Sequence, residues 1–202
     1  MQILWVRHAE PERVESGTGV PANPPLTAAG VAQAERLASW LAHEPVDAIV
    51  SSPQLRARET AAPIAGAHGL EVEIVEGLVE YDVQADHYIP MEELRATKDD
   101  RWTAMVEGRW GEFGGEEPEA FTKRVARAVD ELVGAHPGAT VVAVCHGGVI
   151  NAALAGVLEL DRPLWFDPGY TSISRMVASR TGIRSVASLN ELAHLHAVRE
   201  EQ

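Results

Sequence analysis

The run Thr140-Val141-Val142-Ala143-Val144-Cys145-His146-Gly147-Gly148-Val149 decides how this chain folds. Val141 to Cys145 is an apolar run of strand length that breaks onto a histidine and then onto two loop-forming glycines. A second run of the same kind, Ile3-Leu4-Trp5-Val6, breaks onto Arg7-His8. In an open α/β sheet, ligands bind beyond the carboxyl ends of the strands. Arg7, His8 and His146 are therefore expected to converge on one pocket.

Residues 2–7 read as a buried strand, and residues 11–25, rich in Pro, Gly and Glu, as a loop. Thr27 is placed to cap a helix, with Leu26 and Val31 as a hydrophobic staple. Ala34, Leu37, Ala38 and Leu41 then form a helical stripe ending near His43. A strand is expected at 46–51. Ser52 can cap the helix that follows, with Pro53 in its first turn and Pro63 kinking it before Gly66. A short strand is expected at 72–75. The polar stretch 82–116 reads as an insertion with one or two short helices. The clearest helix is 118–136, where Phe121, Val125, Ala128, Val129, Leu132 and Val133 share a face and Pro137-Gly138 end it. Residues 140–145 form a strand and 149–158 a helix. Residues 173–178 and 183–189, around Thr181-Gly182, read as a terminal hairpin. Alternating strands and helices give a largely parallel sheet covered on both faces, a three-layer α/β/α sandwich. A single domain over residues 1–202 is expected.

The totals exclude several function classes. The chain has 202 residues and a net charge of −13, which disfavours nucleic acid and anionic membranes as partners. An anionic substrate must then be caught by a local cluster of Arg and His. No apolar run reaches the length of a membrane span, and residues near Met1 lack the pattern of a signal peptide, so a cytoplasmic protein is expected. The one cysteine rules out an internal disulfide.

The chemistry-bearing residues point to phosphate. A neutral imidazole such as His8 is a good nucleophile toward phosphorus. Arg7 beside it offers a planar fork that matches phosphate oxygens. The segment Ser51-Ser52-Pro53-Gln54-Leu55-Arg56-Ala57-Arg58 leaves a strand and opens a helix, a ready anion site. Arg56 and Arg58, two residues apart, do not share a helix face, so one reaches the pocket and the other is solvated or paired. A cysteine-phosphatase loop at Cys145 would need an arginine six positions on, where Asn151 stands, so Cys145 reads as a small buried apolar residue. No metal pattern accompanies His194 and His196, and there is no Gly-rich nucleotide loop.

Taken in order along the chain, these strings resemble the histidine phosphatase superfamily, in its phosphoglycerate-mutase-like branch. Arg7-His8-Ala9-Glu10 is similar to the family's Arg-His-Gly signature. Pro25-Leu26-Thr27 with Gly30 and Gln33-Ala34, and Ser51-Ser52-Pro53 with Arg56-Ala57 and Thr60-Ala61, resemble its next two elements. Leu78-Val79-Glu80 is similar to its acid segment, and Gly115-Glu116 to the pair before the long helix. Cys145-His146-Gly147-Gly148 resembles its second histidine motif, and Leu189-Asn190 with His194-Leu195 its ending.

The resemblance implies that His8 attacks phosphorus and forms a phosphohistidine, while Arg7, Arg56 and His146 hold the phosphoryl oxygens. Glu80 is implied as the acid that protonates the leaving oxygen, with Asp82 as the alternative. Glu116 is implied to support the phosphate-binding arginines, and Ser172 to donate to phosphate. No cofactor and no metal are implied. The partner expected is a small phosphorylated substrate, and a homodimer is compatible with the family. Tyr88, Arg95, Lys98, Trp102, Arg109 and Trp110, in the insertion, are candidates for substrate selection. Ala9 stands where the family has Gly, which would strain the backbone if a positive φ is needed there. The loop after Glu10 lacks the Trp-Asn pair of the mutases. The resemblance therefore points to a metal-independent phosphomonoesterase acting on a small phosphorylated metabolite. A phosphoglycerate mutase and a catalytically silent phosphate-binding protein are the alternatives.

Overall fold

The computed structural model describes residues 1–15, 19–162 and 164–196; part of the loop expected at 11–25 therefore lies outside the described residues. Six strands form one sheet: β1 (Gln2–Arg7), β2 (Ala48–Ser51), β3 (Val72–Ile74), β4 (Thr140–Cys145), β5 (Ile173–Ala178) and β6 (Arg184–Glu191). Their order is β3-β2-β4-β1-β5-β6. The first four in this order run parallel, and β5 and β6 add an antiparallel hairpin to the edge of β1.

Strand periodicity explains why the central strands are apolar throughout. Successive side chains point to opposite faces. Ile3 and Trp5 of β1 join Val141, Ala143 and Cys145 of β4 in one core cluster with α5 (Pro118–Ala135) and α6 (Gly147–Leu158). Leu4 and Val6 join Val142 and Val144 in a second cluster with α1 (Ala28–Leu41) and α2 (Leu55–His68). Both faces are covered, so no polar alternation survives. Between β3 and α5 lie two short helices, α3 (Met91–Thr97) and α4 (Asp100–Val106), and a 3-10 turn at Trp110–Phe113.

Several boundaries differ from the sequence reading for local reasons. Thr27 does cap α1, accepting from the Gly30 amide at 2.9 Å. The staple is not formed as expected: Leu26 clusters with Ala9 and Ala34, while Val31 is exposed. Gln54, not Ser52, is the N-cap of α2; the Ser52 hydroxyl lies 2.8 Å from His146 Nε2 and accepts from the Gln54 amide at 3.3 Å. That helix continues past Gly66 to His68, with Pro63 inside it, and ends on Gly69 in the left-handed region. α6 begins two residues earlier than expected, at Gly147, with His146 as its N-cap.

Candidate active site

β1 and β4 end side by side, with Arg7 opposite Cys145. The His8 amide extends this ladder by donating to the Cys145 carbonyl at 2.9 Å. The nucleophile candidate is thus fixed by the sheet, and its ring is 2% exposed. Its Nδ1 lies 2.8 Å from the Ala9 carbonyl. A carbonyl only accepts, so Nδ1 carries the proton and Nε2 keeps its lone pair. The Arg56 Nε–H points at that Nε2 from 3.3 Å. Burial, then Arg56 and Arg7, hold the His8 pKa well below the usual imidazole value, so the ring stays neutral.

Arg56 comes from the first turn of α2 and is 1% exposed, whereas Arg58 faces solvent. The Arg56 guanidinium carbon sits 4.6 Å from the centre of the Tyr88 ring, and its Nη1 is buried without a hydrogen-bond partner. The His146 ring lies 5.1 Å from that of His8. Its Nε2 is 2.8 Å from the Ser52 hydroxyl, and its Nδ1 is buried without a partner. Burial and then Arg56 depress the His146 pKa as well. Two orphaned polar groups beside a neutral imidazole form a socket that an anion with several acceptor oxygens would satisfy.

Glu80 enters from the turn after β3. Its Oε2 accepts from the Gly148 amide at 2.9 Å, at the N-terminus of α6, where backbone N–H groups lack helical partners. Its Oε1 accepts from the Tyr81 amide at 3.2 Å. Gln54 Oε1 in turn accepts from the Glu80 amide at 2.9 Å. Burial and the neighbouring Asp82 push the Glu80 pKa up to about 7, against the pull of the Gly148 and Tyr81 amides and Arg56. Asp82 also lines the cavity, and burial raises its pKa.

Arg7 is 4% exposed and its Nη1 donates to Glu92 of α3 at 2.7 Å and to the Pro168 carbonyl at 2.6 Å. Its guanidinium carbon lies 4.1 Å from the centre of the Tyr170 ring. The Arg7 carbonyl accepts from the Thr171 amide at 3.0 Å. Thr171 is buried with φ of 58°, a left-handed conformation that costs a β-branched residue about 1–2 kcal/mol. Its hydroxyl is 2.9 Å from His194 Nε2, which ties the end of the family-like motif to the strand that carries the nucleophile.

The remaining candidates fall where their surroundings dictate. Glu116 lies outside the cavity and pairs with Arg124, not with Arg7 or Arg56, through bonds of 2.6 and 3.1 Å. Arg124 also donates to the Gly77 and Val79 carbonyls, so the pair fixes the backbone just before Glu80. Ser172 is fully buried, and its hydroxyl has no partner and does not line the cavity; its carbonyl accepts from the Arg7 amide. Ala9 is not in the left-handed region, and its methyl group packs against Leu26 and Ala34, so the expected strain does not arise.

In the insertion, Tyr88 and Trp102 line the cavity. Trp110 is a core residue stacked on Tyr81 at 4.2 Å. Arg95 pairs with Asp167 and Arg109 with Glu107 and Glu112, while Lys98 is exposed at the end of α3. Sequence reasoning missed Glu92, Asn151, Tyr170 and Thr171 as site-shaping residues. Asn151 holds the Trp165–Phe166 loop, accepting from the Trp165 and Phe166 amides and donating to the Gly147 and Phe166 carbonyls.

The cavity these residues enclose measures about 250 Å³, with Arg7, His8, Arg56 and Glu80 in its wall. Among the described residues, no group of three or more His, Cys, Asp or Glu side chains is placed to hold a metal ion. No helix among them is long and apolar enough to cross a membrane.

The family model described as "Histidine phosphatase superfamily (branch 1)" matches residues 3–191. The phosphoserine phosphatase 1 of Hydrogenobacter thermophilus is 32% identical over 200 residues, covering 96% of this chain and 94% of that protein. A Mycobacterium tuberculosis protein described as bifunctional is 31% identical over 209 residues; the chain spans only 55% of its length, about half of that relative. A crystal structure of a phosphoserine phosphatase mutant from Entamoeba histolytica, with bound phosphoserine, superposes with a TM-score of 0.75. It is 27% identical and covers 96% of this chain and 98% of that one.

Proposed function

The chain belongs to the histidine phosphatase superfamily, branch 1, and from that premise we propose that it is a metal-independent phosphomonoesterase that uses His8 as its nucleophile. The observation that carries this reading is the state of the His8 ring. Ala9 fixes the proton on Nδ1, which leaves the lone pair on Nε2 to attack once Arg56 turns its Nε–H to phosphate, and the depressed pKa keeps Nε2 unprotonated. Relatives named as phosphoserine phosphatases support a phosphate ester as substrate.

In the first step His8 Nε2 attacks phosphorus in line. The P–N bond forms, the bond from phosphorus to the leaving oxygen breaks, and the Glu80 carboxyl gives its proton to that oxygen. In the second step Glu80, now a carboxylate, takes a proton from water. The hydroxide attacks phosphorus, the P–N bond breaks, and inorganic phosphate leaves with His8 restored. Arg7 and Arg56 neutralise the equatorial oxygens throughout, and the uncharged His146 donates a hydrogen bond to them, the stabilisation that dominates phosphoryl transfer. The bonds to Glu92 and Pro168 both use Arg7 Nη1, so its Nε and Nη2 can hold phosphate while the ion pair persists.

Phosphate release from p-nitrophenyl phosphate, in EDTA, with wild type and His8→Ala in parallel, tests this reading. Release that survives chelation and disappears in the folded variant is expected. A variant that releases phosphate as fast as wild type would overturn the role of His8.

A further inference from the structure

Beyond the phosphate-binding end, the cavity is walled by apolar and aromatic side chains. Ile89 and, from α4, Trp102, Met105 and Val106 line it. Trp165 and Phe166 line it as well, with ring centroids 4.4 Å apart. The Trp165–Phe166 segment is a built wall, because Asn151, itself 1% exposed, bonds the Trp165 and Phe166 amides and the Phe166 carbonyl. The volume of about 250 Å³ exceeds the ~150 Å³ in which an apolar cavity holds benzene. It has room for a ring as well as a phosphoryl group.

The charges of this compartment disfavour a second anionic group on the substrate. Apart from Arg7 and Arg56, the lining among the described residues carries one further cation, Arg162, which is exposed. It also carries the acids Glu80, Asp82 and Asp167. Glu92 already occupies Arg7 on the side of α3, and Arg95 is held by Asp167. Away from the exposed Arg162, a substrate carboxylate would meet apolar surface or these acids, and leaving it unpaired there is costly.

We propose that the leaving group is an apolar, ring-bearing alcohol without a second anionic group, held by the α4 residues of the cavity and the Trp165–Phe166 wall. This rests on the phosphomonoesterase reading and narrows its substrate class. It departs from the phosphoserine named for two of the relatives.

The test is kcat/KM for benzyl phosphate, ethyl phosphate and phosphoserine, all with alkyl leaving oxygens so that ring recognition is not confused with leaving-group reactivity. Benzyl phosphate is expected to exceed both others by about tenfold or more, since one methylene in an apolar pocket already discriminates about tenfold. The benzyl-to-ethyl ratio should fall toward one in Trp102→Ala and in Phe166→Ala, which line the cavity from separate segments of the chain and give two independent readouts. Phosphoserine turned over as well as or better than benzyl phosphate overturns the assignment. So does a ratio unchanged in both variants. Release from none of the three esters refutes the phosphatase reading itself, and this inference with it.

Discussion

Replacing Glu80 with glutamine separates its two effects, on chemistry and on stability. Glu80 is 7% exposed and its pKa is raised from 4.5 to about 7 by burial and Asp82. The acid is therefore about nine-tenths protonated at pH 6 and about one-tenth at pH 8, taking the usual tenfold change in ratio per pH unit. Glu80→Gln retains an acceptor for the Gly148 amide but has no proton to give. Transfer of phosphate from ethyl phosphate to His8 should slow by about 10²–10⁴-fold, the usual contribution of general acid catalysis. With p-nitrophenyl phosphate, whose nitrophenolate leaves without a proton, the pre-steady-state burst should slow by less than about tenfold.

The same shift has a stability signature. The folded pKa lies above the unfolded one, so its contribution is fully present below about pH 4.5 and is lost as pH rises through about 7. The loss amounts to about 3 kcal/mol. The buried neutral His8 and His146 act in the opposite direction, resisting protonation at acid pH. The difference between variant and wild type isolates Glu80. Urea unfolding at pH 5 and pH 8.5 should show Glu80→Gln gaining up to about 3 kcal/mol relative to wild type at the higher pH. Equal slowing on both esters, together with a stability difference independent of pH, would refute the assignment of Glu80 as a buried acid.

Asp82→Asn removes a charge that raises the Glu80 pKa, so the alkaline limb of the rate profile should move to lower pH; an unmoved limb, read from kcat against pH, argues that the two carboxyl groups do not interact. At Gly148 an added Cβ would lie 2.3 Å from Glu80 Oε1, the end of a flexible side chain. Gly148→Ala should therefore lower kcat at least tenfold by displacing the acid, with stability in urea reduced far less than in Gly30→Ala. At Gly30 the Cβ would lie 2.0 Å from the Glu10 carbonyl oxygen, which is backbone and cannot swing aside. Gly30→Ala should cost about 1–3 kcal/mol in urea unfolding, and a Gly30→Ala protein as stable as wild type would show that the α1 entry is more plastic than the contact implies.

The sheet and its strand ends were legible because both faces are covered. Val141 to Cys145 and Ile3 to Val6 carry no alternation to misread; β4 ends where its apolar run stops, at Cys145, and β1 one residue beyond its run, at Arg7. That one of Arg56 and Arg58 faces inward also follows from local geometry, since residues two apart do not share a helix face, but only the resemblance singles out Arg56. The start of α2 was not legible. Ser52 has the chemistry of a cap, but its hydroxyl lies against His146 Nε2, a long-range contact that no local pattern reports. Glu92 and Tyr170 reach Arg7 from segments placed by tertiary packing, and the left-handed Thr171 has no sequence signature. Glu116 was assigned to the right arrangement but the wrong arginine, because Arg124 shares its neighbourhood only once α5 is docked. Asn151 entered the sequence argument only as the residue that excludes a cysteine phosphatase. Its three side-chain bonds to the Trp165–Phe166 loop could not be read from spacing alone.

The strand order has a consequence for how the protein is made. Both neighbours of β1 are β4 and β5, which belong to the later part of the chain. During synthesis Ile3, Leu4, Trp5 and Val6, all fully buried in the finished protein, have no strand to pair with until β4 emerges. Until then the nascent chain carries an unpaired apolar strand, the kind of edge that recruits other chains. The pairing that seats His8 beside His146 is highly non-local, second in sequence separation to that of β1 with β5, and such steps are slow. The two histidines are thus brought together late, in a chain whose first strand must until then be kept from its own kind.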